Sequence, residues 1–140
     1  MVLDTNVLIS ATLFVGSESQ KLLEELSRTG TGICCSEEIL KEYEEIVNRE
    51  FVIKRGLTRW KDYLPSAVGE LRRQMIILQP SKRVKASRDP KDDKIIECAL
   101  AGDCGYIVSY DTDLLDLKEY DKVKIIKLAE MRRILAEQKE

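Results

Sequence analysis

Apolar residues along this chain fall in short bursts whose period switches between that of a strand and that of a helix. Met1-Val2-Leu3 predicts a short strand, and Asn6 to Leu13 a brief helix. Ser17 or Ser19 can cap a second helix running to about Arg28, where Leu22, Leu23 and Leu26 carry the spacing and Thr29-Gly30 ends it. Thr31 to Cys35 predicts a second strand. Ser36, followed by Glu37 and Glu38, opens a third helix with Ile39, Leu40, Tyr43, Ile46 and Val47 as its apolar stripe. Phe51 to Ile53 packs beyond it, and Gly56 breaks the chain. From Thr58, residues Trp60, Leu64, Val68 and Leu71 repeat at helical spacing, and Pro65 is expected to kink or restart that segment into a helical hairpin. Met75 to Leu78 predicts a third strand stopped by Pro80, and Ser81 to Arg88 a basic loop poor in apolar residues. Asp89-Pro90 pairs a cap with a first-turn proline ahead of Ile95, Ile96, Ala99 and Leu100, with Gly102 as the stop. The remainder predicts a strand from Tyr106 to Tyr110, a short helix from Thr112 to Leu117, an edge strand from Val123 to Ile126 and a final helix from Leu128 to Gln138.

Strands alternating with helices imply an α/β fold with a parallel sheet covered on both faces. No repeat, linker or low-complexity stretch interrupts it, so residues 1–140 are expected to make one domain. Ligands of such sheets sit beyond the carboxyl ends of the strands. Asp4 and Asp111 each follow a strand directly.

Composition narrows the chemistry. The chain carries 25 Asp and Glu against 23 Lys and Arg, a net charge of −2, so binding to nucleic acid must come from a local patch. Histidine is absent, which removes Cys/His zinc sites, the commonest general base and the usual nucleophilic triads. Cys34, Cys35, Cys98 and Cys104 form no CxxC pair and read as small buried thiols. With no secretory leader and no apolar run of membrane-spanning length, the expected location is cytoplasmic and reducing. Any catalysis falls to carboxylates.

Each acid has a structural reading beside the functional one. Asp4, within Val2-Leu3-Asp4-Thr5-Asn6-Val7, and Asp111, within Val108-Ser109-Tyr110-Asp111-Thr112-Asp113, suit helix caps as well as cleft ligands. Asp92 falls on the inward face with Ile95, Ile96 and Ala99 and also suits a capping pair with Asp89, while Asp93 sits at the edge of that stripe. Glu42 and Glu44 border opposite sides of the third helix's stripe, and spacing does not choose between them. Four carboxylates converging in one cleft would repel unless a cation neutralised them, and oxygen donors suit Mg²⁺ or Mn²⁺, one or two ions. Such a site fits phosphodiester hydrolysis. Lys82, Arg83, Lys85, Arg88 and Lys91, just before Asp92, form a candidate patch for RNA phosphates, with Lys54, Arg55 and Arg59 as a second.

Taken together, Val2-Leu3-Asp4-Thr5-Asn6-Val7-Leu8-Ile9, Ser36-Glu37-Glu38-Ile39-Leu40-Lys41-Glu42-Tyr43, Arg88-Asp89-Pro90-Lys91-Asp92-Asp93-Lys94-Ile95-Ile96 and Val108-Ser109-Tyr110-Asp111-Thr112-Asp113-Leu114-Leu115 resemble, in order, the motifs of the PIN-domain family of metal-dependent ribonucleases. The likeness is strongest to its VapC-like members, toxins of prokaryotic toxin–antitoxin pairs. It implies a three-layer α/β/α sandwich and an acidic Mg²⁺ or Mn²⁺ pocket that cleaves RNA. By motif position the site acids are Asp4, Glu42, Asp92 and Asp111, with Asp113 as an accessory ligand and Thr5, Asn6 and Ser109 as supporting groups. Asp93 stands where related sequences often have asparagine, which makes it the alternate to Asp92, as Glu44 is to Glu42. Ser109 stands where threonine is frequent and keeps the hydroxyl. The resemblance also implies a small antitoxin partner and a homodimer, with Trp60 and Tyr63, otherwise core residues by type, on the helices that family members use for such contacts.

Two readings from other classes stand beside it: a catalytically idle scaffold that binds RNA or protein, and an RNA-processing nuclease outside toxin–antitoxin systems. Retention of all four acids argues against the first. A haloacid-dehalogenase-type phosphatase would need an aspartate where Asn6 stands, and a response-regulator receiver would need paired early acids and a late lysine that are not evident.

Overall fold

The computed structural model describes residues 1–138, and the last two positions of the expected 1–140 domain lie outside them. β1 (Val2–Leu3) lies between β2 (Cys34–Ser36) and β4 (Tyr106–Val108). β3 (Ile76–Leu78) flanks β2, while β6 (Val123–Ile126) and then β5 (Glu119–Tyr120) complete the other side, giving the order β3-β2-β1-β4-β6-β5. All neighbours run parallel except β5 and β6. Successive strand residues face opposite sides of a sheet. Val2 and Leu3 are 0% and 1% exposed, and Ile107 and Val108 are both 0% exposed, so the central strands are covered on both faces. The architecture is a three-layer α/β/α sandwich.

The covering helices are α1 (Thr5–Leu13), α2 (Glu18–Thr29), α3 (Glu37–Val47), α4 (Arg59–Gln74), α5 (Pro90–Ala101), α6 (Thr112–Leu115) and α7 (Leu128–Gln138). Their starts follow the expected capping chemistry. Ser17, not Ser19, accepts from the Gln20 amide at 3.1 Å, and Ser36 accepts from Ile39 N at 3.2 Å. Ile39, Tyr43 and Val47 of α3 are fully buried, and the Tyr43 hydroxyl lies 2.6 Å from that of Thr12 on α1. α5 packs Ile95, Ile96 and Ala99 inward against β1, β2 and β4. All four cysteines are buried and free, and burial raises the Cys34 thiol to about 11 and the Cys35 thiol to about 12. Those two thiols stay protonated, and all four side chains fill space in the core.

Four expectations are corrected. α4 runs unbroken through Pro65, because that residue is exposed and the carbonyl it leaves unpaired, on exposed Lys61, faces water. There is therefore no hairpin within this segment. α4 instead packs on α3 and on a π-helical turn, Asn48–Ile53, that continues α3 and buries Phe51 and Val52. β6 is not the edge strand. A two-residue connection, Asp121-Lys122, with Asp121 at φ 53°, folds the short β5 outside it. Tyr63 is 70% exposed, while Trp60 is half-buried with its ring centroid 6.4 Å from that of Phe51. The Ser81–Arg88 loop is pinned by the buried side chain of Val84. No helix among the described residues is long and apolar enough to cross a membrane.

Gly102 ends α5 with φ −92°, a conformation open to any residue, so its role is close approach. A Cβ there would lie 2.8 Å from Cys34 Sγ and from Leu78 Cδ1 and 3.0 Å from Cys104 Sγ. Gly69, inside α4, has only Arg73 Nη1 nearby, at 3.9 Å. Gly102→Ala is therefore expected to destabilise the fold by about 1–3 kcal/mol through overpacking. Gly69→Ala is expected to stabilise it by about 0.5–1 kcal/mol. Urea unfolding of the two variants checks the opposite signs.

Candidate metal centre

The strand order reverses between β1 and β4: the chain leaves β1 towards β2 and β3, then crosses back to lay β4 on β1's other side. The crevice at such a point lies beyond the carboxyl ends of the two strands. Asp4 extends β1 by one bond, its amide donating to Val108 O at 2.9 Å. Although Asp4 precedes α1, its side chain makes no capping bond. Asp4 Oδ2 instead accepts from the Ser109 hydroxyl at 2.6 Å, across the two strand ends. The same Ser109 oxygen accepts from the Asp111 amide at 2.9 Å, so one wholly buried hydroxyl ties both acidic turns together. Asp111 does cap α6, its Oδ1 accepting from Asp113 N at 2.8 Å.

Asp92 comes from the first turn of α5. Asp89 caps that helix, accepting from Lys91 N at 3.0 Å, but Asp92 does not complete a capping box. The Asp89 amide goes to Ser87 Oγ at 3.3 Å, and Ser87 Oγ donates to Asp92 Oδ2 at 3.3 Å. Asp92, Asp111 and Asp113 thereby present carboxylate oxygens within 4.8 Å of one another. Asp93 is equally buried but committed elsewhere, its Oδ1 accepting from the amides of Ala86 at 3.1 Å and Ser87 at 2.8 Å. Glu42 on α3 pairs with Lys94 of α5, and the two side chains are 19% and 18% exposed. Glu44 is exposed on α3, and Asn6 is exposed in the first turn of α1. Thr5 is 1% exposed, and its hydroxyl has no hydrogen-bond partner.

Electrostatics follow from this crowding. Burial pushes the Asp92 carboxyl up to about 7, reinforced by the charges of Asp111, Asp4 and Asp89 and opposed by the Ser87 hydroxyl. Burial likewise raises Asp4, the Ser109 bond and the Thr5 amide oppose it, and the charges of Asp111 and Glu42 add to the rise. A cluster that resists its own ionisation suits a cation. The donors are all hard oxygens, and the unpartnered Thr5 hydroxyl beside Asp4 leaves room for a further oxygen contact. Oxygens around one Mg²⁺ stand at most about 4.2 Å apart, twice its usual bond length, so the three aspartates need close only slightly to share an ion. The residues present fit such a group.

The basic loop is more structured than its composition suggests. Glu97, 5% exposed, accepts from Val84 N at 2.9 Å and from Arg83 at 3.1 Å, while Arg83 also reaches Glu38 at 3.1 Å. Arg88 lies over the cluster, 2.8 Å from both Asp113 Oδ1 and Asp116 Oδ2. Lys82, Lys85 and Lys91 are exposed and form no ion pair among the described residues. Arg83, Lys85, Lys91 and Lys94 line a shallow cleft beside the acids. Sequence reasoning missed Ser87, Lys94 and Glu97. The spacing Asp89-Asp93-Glu97, acids four apart on one helix face after a basic loop, is a signal that could have found Glu97.

The raised Asp92 pKa makes a prediction for the metal-free protein. Its folded value, about 7, exceeds its ordinary 3.8, so its contribution to stability is complete below about pH 4 and is lost as the pH rises through 7. In EDTA, thermal unfolding should come at lower temperature at pH 8 than at pH 5.5. That difference should shrink in Asp92→Asn; an unchanged difference would show that Asp92 is not the strained group.

A PIN-domain family model matches residues 1–113 of the chain. No curated protein matches it at a significant level. Among solved structures, the fold is similar to VapBC2 from Rickettsia felis, crystallised bound to a DNA fragment from their promoter. The match has a TM-score of 0.62 and 15% identity, and covers 90% of this chain and 96% of that one. At that identity the likeness speaks to fold alone, while the family model extends over most of the sequence and all five acids of the centre. The chain belongs to the PIN-domain family.

Proposed function

We propose that residues 1–140 form one cytoplasmic PIN domain acting as a Mg²⁺- or Mn²⁺-dependent endoribonuclease, the toxin of a toxin–antitoxin pair. The observation that carries this is the approach of Asp92, Asp111 and Asp113 within 4.8 Å at the carboxyl ends of β1 and β4, beside buried Asp4. When bound, the ion lowers the pKa of a water and shields the phosphate as charge develops. Asp92, Asp111 and Asp113 would hold it. Asp4, whose carboxylate is oriented by the Ser109 hydroxyl and the Thr5 amide, would stand beside the ion. Asp93 and Glu97 act at one remove, holding the loop whose Ser87 hydroxyl orients Asp92.

RNA approaches along the basic loop. Lys82, Lys85 and Lys91, free of ion pairs among the described residues, meet backbone phosphates, and Arg83 and Arg88 lie close enough to join them. Single-stranded RNA is the expected substrate. Support for a protein partner comes from exposed Phe14, Ile53, Leu57 and Tyr63, around a groove lined by Thr12, Leu57, Trp60 and Tyr63. A small antitoxin partner and a homodimer are part of the proposal, both implied by the resemblance to VapC-like members of the family, and the likeness in fold to VapBC2 from Rickettsia felis accords with the antitoxin.

Cleavage of a single-stranded RNA probe in Mg²⁺ or Mn²⁺ tests the reading. EDTA should stop it, and Asp4→Asn should slow it about 10²-fold or more, the usual contribution of a positioned acid or base. Cleavage surviving both EDTA and Asp4→Asn would contradict the metal site. Charge reversal at Lys82, Arg83 and Lys85 should weaken RNA binding and flatten its salt dependence.

A further inference from the structure

Lys94 is the unusual cation of this molecule. Ion pairs such as Lys21–Glu18 and Arg133–Glu130 lie on the surface, with both side chains about half exposed or more. Lys94 and Glu42 are both less than one-fifth exposed and join α5 to α3 across the wall of the acidic centre. Lys94 stands two residues after Asp92, and Glu42 is near enough to Asp4 for their charges to interact. The carboxylates therefore divide into two groups. Asp92, Asp111 and Asp113 converge on one point, and among the described residues neither Asp92 nor Asp111 forms an ion pair, while the mostly exposed Arg88 reaches Asp113 from outside. Glu42 lies apart from that point and already has its positive partner.

We propose that Lys94 is a built-in cation that stands in for a second metal ion beside Glu42, so that the centre takes one divalent cation, at Asp92, Asp111 and Asp113. This rests on the metal-dependent reading above. The physical argument is charge exclusion. An ammonium is a compact point charge with three donors, and in a pocket shielded from water it opposes a neighbouring cation far more strongly than on the surface. A second divalent ion at Glu42 would have to expel it. Lys94 also holds the Glu42 carboxylate without drawing on an ion from solution. In this reading Lys94 is a positioning residue that sets how many ions the protein carries.

Metal stoichiometry tests it without reference to turnover. Mn²⁺ binding to the full chain, followed by the EPR signal of free Mn²⁺, should saturate at one ion per chain in the wild type. It should vanish in Asp111→Asn and stay at one in Lys94→Arg. Lys94→Met should admit a second, weaker ion, and the double variant Lys94→Met/Glu42→Gln, which removes the acid as well, should return to one. Two ions in the wild type, or one ion of unchanged affinity in a folded Lys94→Met, would overturn the proposal. If Lys94→Met does not fold, Lys94→Gln, which keeps a hydrogen-bond donor for Glu42 without the charge, takes its place, with a second ion expected and a single ion of unchanged affinity overturning the proposal. No Mn²⁺ binding by the wild type would instead overturn the metal-dependent reading itself, and this inference with it.

Discussion

Two parallel strand ends, β1 and β4, lie side by side, and the turns that leave them carry acids whose like charges face one another. That constraint organises the surrounding structure. Ser109 spans the strands to bond Asp4 and the Asp111 amide, fixing both turns with a single hydroxyl. α5 brings Asp92 to the same place because Asp89 and Pro90 start the helix there and Ile95, Ile96 and Ala99 bind its other end to the sheet. Gly102 lets the far end of α5 approach Cys34 and Leu78 closely enough to hold that angle.

The protein offsets the repulsion only in part. Lys94 pairs with Glu42 at the margin and Arg88 reaches Asp113 from the solvent side, while Asp92 remains buried with its carboxyl pushed up to about 7. A fold that gained nothing from a cation would be expected to fill this space with apolar side chains or paired polar ones. The basic loop belongs to the same arrangement. Its backbone is bonded to Asp93 and Glu97 on α5, so the element that presents Asp92 also positions the lysines proposed to meet the substrate.

Much of this was legible in the residues. Strand and helix alternation gave the sheet, and the strand-exit positions of Asp4 and Asp111 placed them at one edge. Residues that spacing leaves alike are distinguished by contacts that spacing does not encode. Asp92 and Asp93 are adjacent and equally buried, and only the loop amides that occupy Asp93 separate them. Glu42 differs from Glu44 through Lys94, which lies far along the chain. The break that Pro65 predicts does not occur, because the cost of a helical proline depends on whether the freed carbonyl meets water, a property of tertiary packing. The short β5 was missed because two residues carry almost no periodicity. Asp111 caps its helix, whereas the Asp4 carboxylate faces Ser109 across the sheet.

The most direct test of the central claim is an anomalous difference map from crystals of this protein soaked in Mn²⁺. The account predicts a peak bounded by the carboxylates of Asp92, Asp111 and Asp113, beside Asp4. A map with no peak there, or with its ion bound elsewhere, would contradict it.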